Sequence, residues 1–267
     1  MDKDNYNIYI FTMPISSKKL DEFFRSLLDL NAFEKTDDSL NGLQIDNDGS
    51  EINKIAFAVD AGMEVFKRAA QAGAGLLFVH HGLFWGKPLR LTGYNRERIK
   101  FLLDNNIALY GVHLPLDQHP VYGNNAVLSE LLGIMGPEPF GLHNGQKIGY
   151  KGNLIKPLSI DEAVKKISFM NRPPLGVYPF GKKENRTCAL VSGGAALDAF
   201  QAIDEEVDLF ISGEASHTMY HHALESGLNI IAGGHYSTEV WGVKRMMEEC
   251  VNKLKLEAEF IDVPTGM

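Results

Sequence analysis

The chain has 267 residues, 45% of them apolar, and a formal net charge of −8. That length holds one large domain or two small ones with ample core, and the acidic balance argues against a broad basic nucleic-acid surface. Cys188 and Cys250 are too few for a disulfide framework and suit a reducing compartment. Asn7 to Met13 is too short and too polar for a signal peptide or a membrane span, so a cytoplasmic protein is expected.

In chain order, Leu20, Phe23, Phe24, Leu27 and Leu28 recur at helical spacing behind a cap at Ser16 or Ser17. A loop with Asn41-Gly42-Leu43-Gln44 follows. Lys54 to Val59 reads as a strand, Met63 to Ala72 as a helix ended by Gly73, and Leu76 to Val79 as a strand. Arg96 to Leu103 predicts a helix, Ile107 to Val112 a strand and Asn125 to Leu132 a helix. The capping box Ser159-Ile160-Asp161-Glu162 opens a helix to about Phe169, broken by Pro173-Pro174. Thr187 to Val191, Asp208 to Ser212 and Leu228 to Ala232 read as strands, with helices at Leu197 to Ile203 and Tyr220 to Leu224 between them. A helix from about Val240 to Leu254 precedes a last strand near Glu257 to Val263.

Such alternation predicts an α/β fold of two related lobes, each a mostly parallel sheet flanked by helices. The lobes are placed at residues 1–136 and 137–267, with the last helix and strand able to pack back on the first. Ile55 to Val59 matches Cys188 to Ser192, Leu77-Phe78-Val79 matches Leu209-Phe210-Ile211, and His113 to Asp117 then falls opposite His235 to Glu239. The first half carries extra residues around Trp85 to Tyr94.

Both of those last segments have a His and an acid four residues apart after an apolar run, and His80-His81 ends another. In parallel α/β sheets, ligands gather beyond the carboxyl ends of strands. His80, His81, Asp117, His235 and Glu239 are therefore read as ligands of one site. Imidazole and carboxylate together suit zinc, manganese, iron or nickel. Five such groups exceed one tetrahedral ion and fit two divalent ions roughly 3.5–4 Å apart. Glu214 and His221, after Asp208 to Ser212, are candidates for acid/base work.

Each feature also has a plainer account. A His pair at a strand end is often a capped turn, and His-x-x-x-Glu is a common helix-surface pair. Glu214 in a first turn suits a helix dipole. His113 can simply bind backbone and orient its loop, His119 reads as a loop residue, and His143 as structural or exposed. Ser192-Gly193-Gly194-Ala195 lacks the P-loop Lys and reads equally as a tight turn or a phosphate seat. Phe84-Trp85 reads as core packing or a pocket wall.

Asn41-Gly42-Leu43-Gln44, His80-His81-Gly82, His113 to Asp117, Gly123-Asn124-Asn125, Ser212-Gly213-Glu214 and Gly234-His235 with Glu239 resemble the NIF-three-like dinuclear metal-centre family. Its members are often labelled GTP cyclohydrolase 1 type 2. The resemblance runs over nearly the whole chain and is weakest from about Pro137 to Thr187. It implies two related lobes in a homohexameric toroid of trimers, with a pair of divalent metals inside. His81 and Asp117 would hold one metal, His80 and His235 the other, and Glu239 would bridge both. Glu214 and His221 match positions lining the cleft. The implied activity is metal-dependent ring opening of GTP with formate release. The alternative is a non-catalytic ring-shaped metal carrier or regulatory interaction protein. A small-molecule substrate of the purine-nucleotide class is the expected partner, and neither a membrane nor a nucleic acid is expected.

Overall fold

The computed structural model describes residues 14–267, so Asn7 to Met13 lies outside the described residues. Two sheets carry the fold. The first is ordered β1 (Gly42–Ile45), β4 (Ala108–Gly111), β3 (Leu76–His81), β2 (Lys54–Asp60), β11 (Glu257–Phe260). All its neighbours run parallel except β1, which is antiparallel to β4.

Alternation along these strands divides the apolar side chains between two cores. Ile55, Phe57, Phe78 and Tyr110 face α1 (Ser17–Leu27) and α9 (His235–Leu254), meeting Leu20, Phe24, Val243 and Met246. Ala56, Ala58, Leu77, Val79 and Leu109 face α2 (Met63–Gln71) and α3 (Gly93–Asp104). The β11 strand pairs with β2, so the last strand does close the first sheet.

The second sheet is ordered β5 (Ile134–His143), β6 (Gln146–Leu158), β8 (Asn185–Val191), β9 (Leu209–Ser212), β10 (Asn229–Ala232), β7 (Gly176–Tyr178). Its centre, β8-β9-β10, is parallel, and β5, β6 and β7 are antiparallel additions. One face packs on α7 (Ala199–Asp204) and α8 (Tyr220–Ser226). The other packs on α5 (Asn124–Leu132) and α6 (Ile160–Ile167). Division of the chain at 136/137 falls inside β5.

The run β1-β4-β3-β2 has the same order and directions as β7-β10-β9-β8. The expected residue match needs one change. Ile55 pairs with Leu76 while Cys188 pairs with Leu209, so Leu76, not Leu77, is the counterpart of Leu209. A one-residue slip reverses the face of every side chain, and corrected this way Glu214 becomes the counterpart of His81.

Several elements were not legible. Gly42–Ile45, read as loop, is the edge strand β1. The long hairpin β5–β6 lies in the least-matched segment. The short helix α4 (Leu114–Gln118) begins directly after β4, and α9 starts at His235, not Val240. The capping box at Ser159 is present in full. Cys188 and Cys250 are free and buried, and among the described residues no helix is long and apolar enough to cross a membrane.

Candidate metal centre

His80 and His81 end β3, Asp117 sits on α4, and His235 and Glu239 lie on successive turns of α9. The structure brings all five together. Their order comes from how each side chain is tied from behind. His80 Nδ1 lies 2.9 Å from the Val112 carbonyl. A carbonyl only accepts, so Nδ1 carries the hydrogen and Nε2 offers its lone pair. His81 Nδ1 is 2.7 Å from Asp60 Oδ1, and His235 Nδ1 is 2.6 Å from Glu214 Oε1. Such oxygen partners on the far nitrogen are the usual support of a metal-bound imidazole.

Asp117 is supported in the same way. Its Oδ1 accepts from Asn124 Nδ2 at 2.9 Å and from Ser192 Oγ at 2.7 Å, which leaves Oδ2 facing His80 Nε2 at 3.5 Å. Glu239 is buried at 2% exposure and reaches three imidazoles. Its Oε1 is 3.5 Å from His80 Nε2 and 3.3 Å from His235 Nε2, while Oε2 is 3.3 Å from His81 Nε2. The two oxygens thus face different histidines, as a bridging carboxylate requires.

Two observations test whether a metal fits. His80 Nε2 and Glu239 Oε2 are buried without a hydrogen-bond partner among the described residues, a costly state for polar atoms with nothing between them. Ions bound at about 2.0–2.2 Å in a tetrahedral set leave neighbouring ligand atoms about 3.3–3.6 Å apart. The separations of 3.3–3.5 Å match that edge length. The donor set fits divalent metal. Three overlapping groups have ligand atoms within 4.8 Å of one another: His80/Asp117/Glu239, His81/His235/Glu239 and His80/His81/His113.

Protonation follows the same electrostatics. Burial disfavours a charged His80, but the carboxylates of Asp117 and Glu239 outweigh it and hold the imidazole well above its usual pKa. Burial likewise pushes Glu239 up, yet the three histidines hold it well below the carboxylate range. Hydrogen bonding to Glu239, opposed by burial and helped by the charges of Glu239 and Glu214, takes His235 up to about 9. Two buried carboxylates therefore demand positive charge, from protons or from metal.

Glu214 comes to the centre, but as the partner of His235 Nδ1, not as a free acid. The structure does not bring His221 there: it is exposed on α8, with its ring against Tyr220 at 5.3 Å. His222 packs on Phe200, and His119 accepts from the amides of Val121 and Tyr122 as a loop residue. Trp85 walls the site, its ring 4.9 Å from His113. In the Ser192-Gly193-Gly194-Ala195 turn, the Ser192 amide is committed to Asn125 Oδ1 and that of Gly193 to Thr238 Oγ1.

Sequence reasoning missed the clamp around His113. Asp37, half-buried with its side chain 1% exposed, accepts from His113 Nδ1 at 2.9 Å and from the amides of Ser39 and Leu114, and from Asn41 Nδ2. Asn41 Oδ1 takes the His113 amide at 2.8 Å. Gln44 Oε1 takes the Leu83 amide, and its amide group fills the space a Cβ on Gly82 would need, at 2.2 Å. The one signal was the Asn41 to Gln44 motif, whose role needs the third dimension.

Two cavities open on the centre. One of about 390 Å³ is lined by Asp117, His235 and Glu239 with His113, His143 and Asp198. A smaller one of about 230 Å³ is lined by Asp60, His81, Glu214, His235 and Tyr236.

Among curated relatives, a "GTP cyclohydrolase 1 type 2 homolog" of Treponema pallidum is 39% identical over 95% of this chain and 100% of its own length. One of Archaeoglobus fulgidus is 42% identical over 92% of this chain and 97% of its own length. A solved structure from Thermus thermophilus superposes with a TM-score of 0.85 at 33% identity, covering 95% of this chain and 100% of its own. The model of the Duf34/NIF3 (NGG1p interacting factor 3) family matches residues 15–266, and the chain belongs to that family.

Proposed function

We propose that the protein is a dinuclear metal-dependent hydrolase of the GTP cyclohydrolase 1 type 2 kind, opening the purine ring of GTP and releasing formate. The observation that carries this reading is a buried Glu239 whose oxygens face three histidines, with orphaned polar atoms, beside a cavity of about 390 Å³. A carrier needs the ligands; a substrate-sized cavity beside them favours catalysis.

In this reading the five residues would hold two ions; the structure groups His80 with Asp117 and His81 with His235, with Glu239 common to both, where the resemblance pairs His80 with His235 and His81 with Asp117. When bound, such ions supply Lewis acidity and lower the pKa of water for attack on carbon. The chain's own residues do the rest. Asp60 and Glu214 fix the ring orientation of His81 and His235. Asn124 and Ser192 fix Asp117. Glu214, at the rim of the smaller cavity, accepts the Nδ1–H of His235 and so aims Nε2 at the centre. Trp85 packs its ring edge-on against His113.

The homohexamer implied by the family resemblance belongs to the same reading, and light scattering at working concentration tests it. The chemical test is formate release from GTP by metal-loaded protein. Absence of formate above a His235→Ala, Glu239→Ala control would sink the hydrolase reading, and metal retained without turnover would favour the carrier.

A further inference from the structure

The wall of the larger cavity carries chemistry that the metal ligands do not use. No lysine or arginine lines it, among the described residues. Its polar side chains outside the ligand set include Asp198 and His113. Asp198 ends the short 3₁₀ turn Ala196–Asp198, makes no capping bond to α7, and is half-buried. Burial pushes its pKa up, with His143 the charge that pulls it back. His113 has Nδ1 engaged by the Asp37 carboxylate, so its Nε2 lone pair is the free end.

These side chains offer hydrogen-bond acceptors and no fixed cation. Bound divalent ions would neutralise Asp117 and Glu239, leaving Asp198 as the carboxylate of the outer wall, with His143 the one imidazole acting on it. A carboxylate is matched by two parallel N–H groups, the fork geometry that makes bidentate pairs strong. A polyphosphate on this wall would meet Asp198 without a Lys or Arg to offset it.

We propose that the Asp198 wall is a subsite for the donor edge of a heterocycle, with Asp198 accepting two adjacent N–H groups of an aminopurine base and any phosphates lying outside the cavity. The choice of guanine, with its ring N1–H beside an exocyclic amine, rests on the hydrolase reading above; the donor-edge chemistry rests on the cavity.

The test is calorimetric binding of guanosine, inosine and GTP to manganese-loaded full-length protein and to its Asp198→Asn variant. Guanosine is expected to bind at least about tenfold tighter than inosine, which lacks the exocyclic amine, because an acceptor left unpaired is costly. GTP is expected within tenfold of guanosine. Asp198→Asn, isosteric and still metal-loaded, is expected to abolish the gap between guanosine and inosine. A smaller gap in the wild type, GTP tighter than guanosine by tenfold or more, an undiminished gap in the variant, or no guanosine binding each overturns the subsite. The wild-type ligand series stands even if the variant fails to fold. Asp198-dependent guanosine binding without formate release from GTP would refute the hydrolase reading and leave the subsite intact. Formate release with variant binding unchanged does the reverse.

Discussion

Gly193 gives the sharpest test of the metal centre. It has φ +67°, and a Cβ there would lie 2.3 Å from Glu239 Oε1 and 3.3 Å from His235 Nε2. To restore ordinary contact the oxygen must retreat by about 1 Å. Metal bonds tolerate about 0.2 Å, and Glu239 Oε1 is the oxygen that faces His80 and His235, so Gly193→Ala should cost both ions at once. Metal affinity is expected to fall at least about 100-fold, the upper range for disturbed ligand support. The left-handed backbone adds about 1–2 kcal/mol of strain, which lowers the melting temperature of the metal-free protein by about 2–8 °C. Gly194→Ala is the control, since its Cβ would meet His235 Cε1 at 3.6 Å, an ordinary contact. Metal content after dialysis, calorimetric titration and thermal melts with and without metal read the two effects separately. Gly193→Ala binding metal within about threefold of wild type would show that Glu239 Oε1 is not a ligand.

Three further outcomes follow from the same contacts. The folded pKa of His235 is raised from 6.5 to about 9, so its stabilisation is fully present below pH 6.5 and lost as pH rises through about 9. Metal-free protein should therefore lose melting temperature across that window, metal-loaded protein should not, and metal binding at pH 7 should release protons, measured by titration in buffers of different ionisation enthalpy. Asp37→Asn replaces an acceptor of four donors with a group that must point N–H at N–H. It is expected to destabilise by about 1–3 kcal/mol in urea unfolding, and an unchanged midpoint would count against the clamp. Ser159→Ala removes the hydroxyl that accepts the Glu162 amide and leaves the Ser159 amide on the Glu162 carboxylate, with an expected loss of about 1 kcal/mol and unaltered metal content.

Much of the centre was readable because ligand residues follow strands whose apolar runs are local signals. Leu76 to Val79 announces β3, so His80-His81 has to stand at its end. Leu228 to Ala232 announces β10, but α9 reads as starting at Val240, since His235 to Glu239 is polar and carries no apolar period. The β5–β6 hairpin escapes because its Pro and Gly residues interrupt alternation, and sheet pairing there supplies what local pattern lacks. His221 has the right residue type near the right strand, yet its position on α8 turns it to solvent.

The sequence by itself determined the two-lobed α/β plan, the five candidate ligands and their placement past strand ends. Those features depend on periodicity of 2 and 3.6 residues and on donor chemistry, which single segments carry. Only the tertiary structure decided what each ligand leans on: Val112, Asp60, Glu214, Asn124 and Ser192 behind the ligands, and Asp37 and Asn41 around His113. These pairs are up to 76 residues apart in the chain. No local signal links them, because a hydrogen bond between distant segments is selected by the packing of whole sheets and helices.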